Sequence, residues 1–167
     1  QCIYLLNKNG EPEWGELNGI KDQTHCGGHG FYNEDTIWSS PALADLTGDG
    51  YLEIVIGADI TSGNRYGYPS GGIIYVLNHK GTQLARRWIN QRVYSSPAIG
   101  DLDRDGVLEI VIGTGTHLLD QGYYVKVYNY DPGRFSVTDR LVQKWHLSTS
   151  GRVFSSPALA DLNQDGY

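Results

Sequence analysis

Oxygen-bearing side chains recur at alternate positions of three short loops in this chain. The first reads DLTGDGYLE over 45–53, the second DLDRDGVLE over 101–109, and the third DLNQDGY over 161–167. Asp45, Thr47 and Asp49 stand at positions one, three and five of the first loop, and Glu53 closes it at nine. Asp101, Asp103, Asp105 and Glu109 repeat the pattern in the second, and Asp161, Asn163 and Asp165 open the third. A calcium ion takes six to eight oxygens at about 2.3–2.6 Å, and alternate residues of a tight loop can supply them. Gly50 and its counterparts at position six permit the sharp turn, while the carbonyls of Tyr51, Val107 and Tyr167 at position seven complete the candidate ligand set. The plainer reading is an Asp/Gly turn whose carboxylates only hold their own backbone. Three copies with oxygen at matching positions favour the ion. By ligand charge the second loop is expected to bind most tightly, because neutral Thr47 stands where loop two has Asp103. The closing acid falls at nine rather than twelve and the flanks are strand-like, so these loops are not EF-hands.

Each loop lies inside a larger repeat. SSPALADLTGDGYLEIVIG over 39–57 returns as SSPAIGDLDRDGVLEIVIG over 95–113 and as SSPALADLNQDGY over 155–167. A second unit alternates with it, an apolar strand, an Asn, a Gly turn and a strand ending in Trp14, Trp88 or Trp145. Four strands are therefore expected per period, over 41–45, 52–58, 73–78 and 83–89, then over 97–101, 108–114, 123–130 and 141–147. The unbroken Ile54-Val55-Ile56 predicts a strand buried on both faces. Arg86 and Arg87 mark 83–89 as an outer edge strand. Four antiparallel strands per period of about 40 to 60 residues predict an all-β fold of β-propeller blades. Residues 1–38 are then the second half of a blade plus a long loop, 39–94 and 95–154 are blades, and 155–167 starts the next. Just under three blades do not close a ring. The preferred expectation is a piece of a longer protein; the other is head-to-tail assembly of copies into a ring or filament through exchanged half-blades. Residues 18–38 and 59–71 read as rim loops, with Tyr66 and Tyr68 as candidate ligand contacts, and the three Trp residues read as one repeated packing position.

The rest of the composition mostly excludes. The chain has 167 residues and a net charge of −6, but several of the acids sit in the loops. No basic footprint points to nucleic acid, and no run of about 18 apolar residues makes a transmembrane helix. No Gly-x-Ser-x-Gly, HExxH or phosphate loop is present. His79, His117 and His146 read as solvated, and the paired serines of the SSP motifs read as backbone caps. Cys2 and Cys26 are expected to pair in an exported protein, with a metal site of both cysteines, His25 and His29 as the lesser alternative. Gln1 at the start leaves two readings open, a missing upstream piece or a mature end left by signal cleavage.

The unit A-D-L-x-x-D-G-x-x-E-I-V-I-G resembles the FG-GAP or VCBS repeat of integrin α-subunit propellers and of many exported microbial proteins. The strands ending in Trp also resemble blades of quinoprotein-type propellers. The departure is Ser-Ser-Pro where many integrin repeats have Phe-Gly. The resemblance implies a calcium-binding propeller, extracellular or on a cell surface, that serves adhesion or surface assembly without catalysis. Its expected partner is a protein or polysaccharide on the rim loops. Rhamnogalacturonan lyase propellers are similar in the same repeat, so a calcium-dependent polysaccharide lyase is the alternative, with Arg104 and Arg65 as candidate basic groups beside an ion.

Overall fold

The computed structural model describes residues 1–14, 26, 31–115 and 123–163. Strand β1 (Cys2–Ile3) pairs with β2 (Phe31–Tyr32) in a two-stranded piece. A four-stranded antiparallel sheet follows, ordered β3 (Ala42–Ala44), β4 (Glu53–Ile60), β5 (Gly71–Leu77) and β6 (Gln83–Ile89). A second sheet repeats that order as β7 (Ala98–Gly100), β8 (Glu109–Gly113), β9 (Tyr123–Tyr130) and β10 (Leu141–Thr149). The protein is all-β, and each four-stranded sheet is a propeller-type blade with its last strand at an edge. No helix among the described residues is long and apolar enough to cross a membrane.

Alternation along the inner strands decides where the core sits. Val55 of β4 joins Ile74, Val76, Ala85 and Ile89 in a cluster shared with Ile110, Ile112, Tyr128 and Tyr130 of the second blade. Ile54 and Ile56 point the other way, into a cluster with Trp14, Phe31, Ile73, Tyr75 and Leu77. Blade one is therefore packed on both faces, and every residue of β4 and β5 is buried.

Three details differ from the sequence reading. Within 18–38, taken as a rim loop, Phe31–Tyr32 forms strand β2 and carries Phe31 into the core against Tyr75, with ring centroids 4.9 Å apart. Strand β4 runs on through Asp59 and Ile60, because Gly72 and Gly71 of β5 continue the ladder opposite them. Ala158–Ala160, the counterpart of β3 and β7, forms no strand; strand β3 is held by β4, and the described residues offer this segment no such neighbour.

The Ser-Ser-Pro leads hold the blades together. Ser39 Oγ donates to the Gly57 carbonyl at 2.7 Å and accepts from the Gly57 amide at 2.9 Å, and Ser95 Oγ accepts from the Gly113 amide at 3.1 Å. The second serine reaches across instead: Ser96 Oγ accepts from Ser40 N at 2.8 Å, and Ser156 Oγ from Ser96 N at 3.2 Å. The residue two places ahead of each pair packs on the preceding blade's glycine. A Cβ on Gly57 would stand 2.3 Å from Val93 Cγ1, and one on Gly113 would stand 2.4 Å from Val153 Cγ1. Glycine is required at both places by close approach. Ser39 is buried, so Ser39→Ala strands the Gly57 amide and carbonyl without water. The expected loss is about 1–3 kcal/mol in denaturant unfolding, against a negligible loss for a solvent-exposed serine.

Candidate metal centres

Each acidic loop joins the first two strands of its blade, β3 to β4 and β7 to β8. In loop one, Asp45 folds the turn around itself. Its Oδ1 accepts from Gly48 N at 2.7 Å and Asp49 N at 3.2 Å, and its Oδ2 from Gly50 N at 2.9 Å. These amides, that of Gly50 first, hold the Asp45 carboxyl below its ordinary range. Asp49 Oδ1 accepts from Tyr51 N at 2.9 Å, and Glu53 Oε2 takes Leu46 N at 2.9 Å and Thr47 N at 3.2 Å. Glu53 is buried, which pushes its carboxyl up, and the charges of Asp49 and Asp45 push the same way. The turn needs left-handed backbone at two places, Gly48 at φ 75° and Gly50 at φ 86°.

Loop two keeps that frame: Asp101 Oδ2 accepts from Gly106 N at 3.0 Å, Asp105 Oδ1 from Val107 N at 2.8 Å, and Glu109 Oε2 from Leu102 N at 2.8 Å. Arg104 takes the left-handed place of Gly48, at φ 59°. Carboxylate oxygens of Asp101, Asp103 and Glu109 come within 4.8 Å of one another. No other group of three His, Cys, Asp or Glu residues converges so closely among the described residues. A positive group already sits there. Lys144 Nζ lies 2.6 Å from Asp103 Oδ2, 2.9 Å from Glu109 Oε1 and 3.7 Å from Asp105 Oδ2. Hydrogen bonds from its ammonium to Asp103 and Glu109 raise the Lys144 pKa. Asn129 Nδ2 donates to the same Glu109 oxygen at 2.8 Å.

A β-bulge aims the lysine. Along β10, Gln143 pairs with Tyr128 and Trp145 with Val127, so Lys144 is the extra residue and is freed from the pleat. The corresponding extra residue in blade one is Leu84, between Gln83 opposite Leu77 and Ala85 opposite Val76. Lysine thus accompanies Asp103 in blade two, and leucine accompanies Thr47 in blade one. Aligning the two strands on their tryptophans hides this. Trp145 pairs with Val127, the counterpart of Val76, whereas Trp88 pairs with Ile73, three residues further along. The tryptophans are therefore not one repeated position: Trp14 is 1% exposed and Trp145 46%.

Other candidates separate. Asp161 and Asn163 of loop three are exposed, while Asp165 and Tyr167 lie outside the described residues, as do His25, His29 and His117. Cys2 and Cys26 form a disulfide with Cα atoms 5.9 Å apart. Tyr66 is turned inward, under Arg86 at 4.4 Å, while Tyr68 stacks on Trp88 with centroids 6.1 Å apart. His79 is half-buried and stacked on Tyr51 at 4.1 Å rather than solvated, and His146 packs edge-on against Tyr124. Arg65 pairs with Glu34 at 3.2 Å, on the side of β2 and away from the acidic loops.

Four-stranded blades, each opened by an acidic loop between its first two strands, define a β-propeller-type repeat protein. The family model of the FG-GAP repeat matches residues 37–77, from the lead into blade one to the end of β5. Over that stretch the chain is an FG-GAP repeat. No curated protein matches the chain significantly.

Proposed function

We propose that this protein is a calcium-stabilised propeller module of an exported or cell-surface protein, one that binds a partner and catalyses no reaction. The observation that carries the reading is the convergence of Asp101, Asp103 and Glu109, all oxygen donors, around a position that holds a positive group. Oxygen-only donor sets suit calcium and magnesium, and a flexible loop of mixed carboxylates and carbonyls favours calcium. Asp45, Thr47, Asp49 and Glu53 would hold an ion in loop one, and Asp101, Asp103, Asp105 and Glu109 in loop two. Bound there, the ion neutralises like charges that otherwise repel across each hairpin. The Cys2–Cys26 disulfide supports an oxidising compartment.

Calcium binding adds to folding stability by linkage. At a hundred times the dissociation constant the gain is about 2.7 kcal/mol per site, or about 5–10 °C in melting temperature. Melting curves in calcium and in chelator measure it directly. Superimposable curves, with no heat on calcium titration, would remove the ion from this account.

A further inference from the structure

We propose that the groove between the two blades, where Arg87 of β6 faces Lys126 of β9, is a binding subsite for an anionic sugar residue, a uronate or a sulfated pyranose. The proposal stands apart from the calcium loops.

The inter-blade core is built from two facing rows. Ala85 and Ile89 point into it from β6, and Tyr128 and Tyr130 from β9. Strand alternation puts Arg87 in the first row and Lys126 in the second, so two cations occupy positions of an apolar seam. Among the described residues no carboxylate pairs with either one. Lys126 Nζ donates only to the neutral Gln143 Oε1, at 3.2 Å, and lies 4.7 Å over the Tyr124 ring. Burial first, and then the charge of Arg87, disfavour its protonated form. Two like charges held half-buried against each other cost stability, and an anion between them reverses the sign of that cost.

Strand alternation turns Trp88 to the other face of β6, so Trp88 and Tyr68 line the groove at the strand edge, next to the cations, and are held in place. Tyr68 and Trp88 stack with planes 28° apart. Trp88 Nε1 donates to the Pro69 carbonyl at 3.0 Å, which fixes the indole. Asn64 fixes the Tyr68 backbone, donating to its carbonyl at 2.8 Å and accepting from its amide at 3.2 Å. The groove is open to solvent and offers about 610 Å³, room for one or two sugar rings. A bare inorganic anion has no use for an aromatic wall, and a neutral sugar has none for two unpaired cations. A pyranose carrying a carboxylate or sulfate uses both, with its ring face on the aromatics and its anion shared by Arg87 and Lys126.

Tryptophan fluorescence and calorimetric titration test this at one fixed calcium concentration. The probes are an oligogalacturonate, a sulfated oligosaccharide, a neutral cello-oligosaccharide and a hexaglutamate peptide. One of the two acidic sugars is expected to bind, quench Trp88 and weaken with salt, and which of them binds separates carboxylate from sulfate. Arg87→Gln and Lys126→Gln should each weaken binding by about tenfold or more while melting no lower than the parent, because each relieves a repulsion. Tyr68→Ala should weaken it too. The subsite is overturned if neither acidic sugar binds, if the neutral sugar or the peptide binds as well, or if the Arg87→Gln, Lys126→Gln double variant binds like the parent.

Discussion

Replacing Arg92 with leucine is expected to cost about 3–5 kcal/mol at pH 7 and distinctly less near pH 4.5, read from urea unfolding at the two pH values. Arg92 lies in the lead into blade two, and its Nη1 is 2.7 Å from Oδ2 of Asp59, a fully buried carboxylate near the end of β4. Thr36 Oγ1 donates to the same oxygen at 3.1 Å, and Oδ1 has no hydrogen-bond partner among the described residues. Burial pushes the Asp59 carboxyl up to about 6, against the pull of Arg92 and Thr36. In the other direction, burial disfavours the Arg92 guanidinium, but the charge and hydrogen bond of Asp59 together with Tyr94 more than offset it, so Arg92 stays charged. The folded protein thus holds the Asp59 proton more tightly than the unfolded chain does. Between about pH 4 and pH 6 the unfolded state binds fewer protons, and this group's contribution to stability falls as pH rises. Without Arg92 the charged carboxylate is uncompensated at pH 7, while at pH 4.5 protonation removes the burden. An Arg92→Leu variant equally destabilised at both pH values would show that Asp59 carries no charge penalty.

Lys144→Met should change loop two in opposite ways with and without calcium. In chelator the variant melts lower, because Glu109, 0% exposed, and Asp103 lose the one cation that the described residues place between them. In titration, calcium affinity at loop two rises by about tenfold or more, since a competing unit charge about 3 Å from the ligands is gone. Saturating calcium then restores the melting temperature. Terbium luminescence or calorimetry reads the affinity, and equal affinity in parent and variant would show that the lysine does not compete. Ranking the loops by carboxylate number omits this residue. Four carboxylates against the Lys144 ammonium and the Arg104 guanidinium leave loop two with two negative charges, against three for loop one. The ground for placing loop two first is then gone, since loop one has Leu84 in place of Lys144.

The blades themselves were legible because their signals are local and repeated. Ile54-Val55-Ile56 announced a strand covered on both sides, and Arg86-Arg87 an edge, and both lie where expected. The acidic loops were legible as turns for the same reason. What was not legible depends on single-residue slips. The two bulges decide whether a strand residue faces a neighbouring blade or its own loop, and in LVQKW and QLARRW they hide behind similar letters. Trp88 and Trp145 look equivalent in sequence because each follows the last strand's charged residues after an Asn and a Gly turn. Strand β2 was missed because its partner β1 lies 28 residues or more away and neither strand is longer than two residues. The Asp59–Arg92 pair likewise joins residues 33 apart, with no local pattern to mark either one.

The seam built by Val93 on Gly57 and Val153 on Gly113 gives the chain a direction. Each blade is finished by residues that belong to the lead of the next, so every joint is a lap joint in which the later piece covers the earlier. Coupling then runs between adjacent blades only, as in a one-dimensional array. During synthesis a blade's glycine stays uncovered until the next lead emerges. Lifting a lead bares the glycine of the blade before it and leaves the joints further back covered.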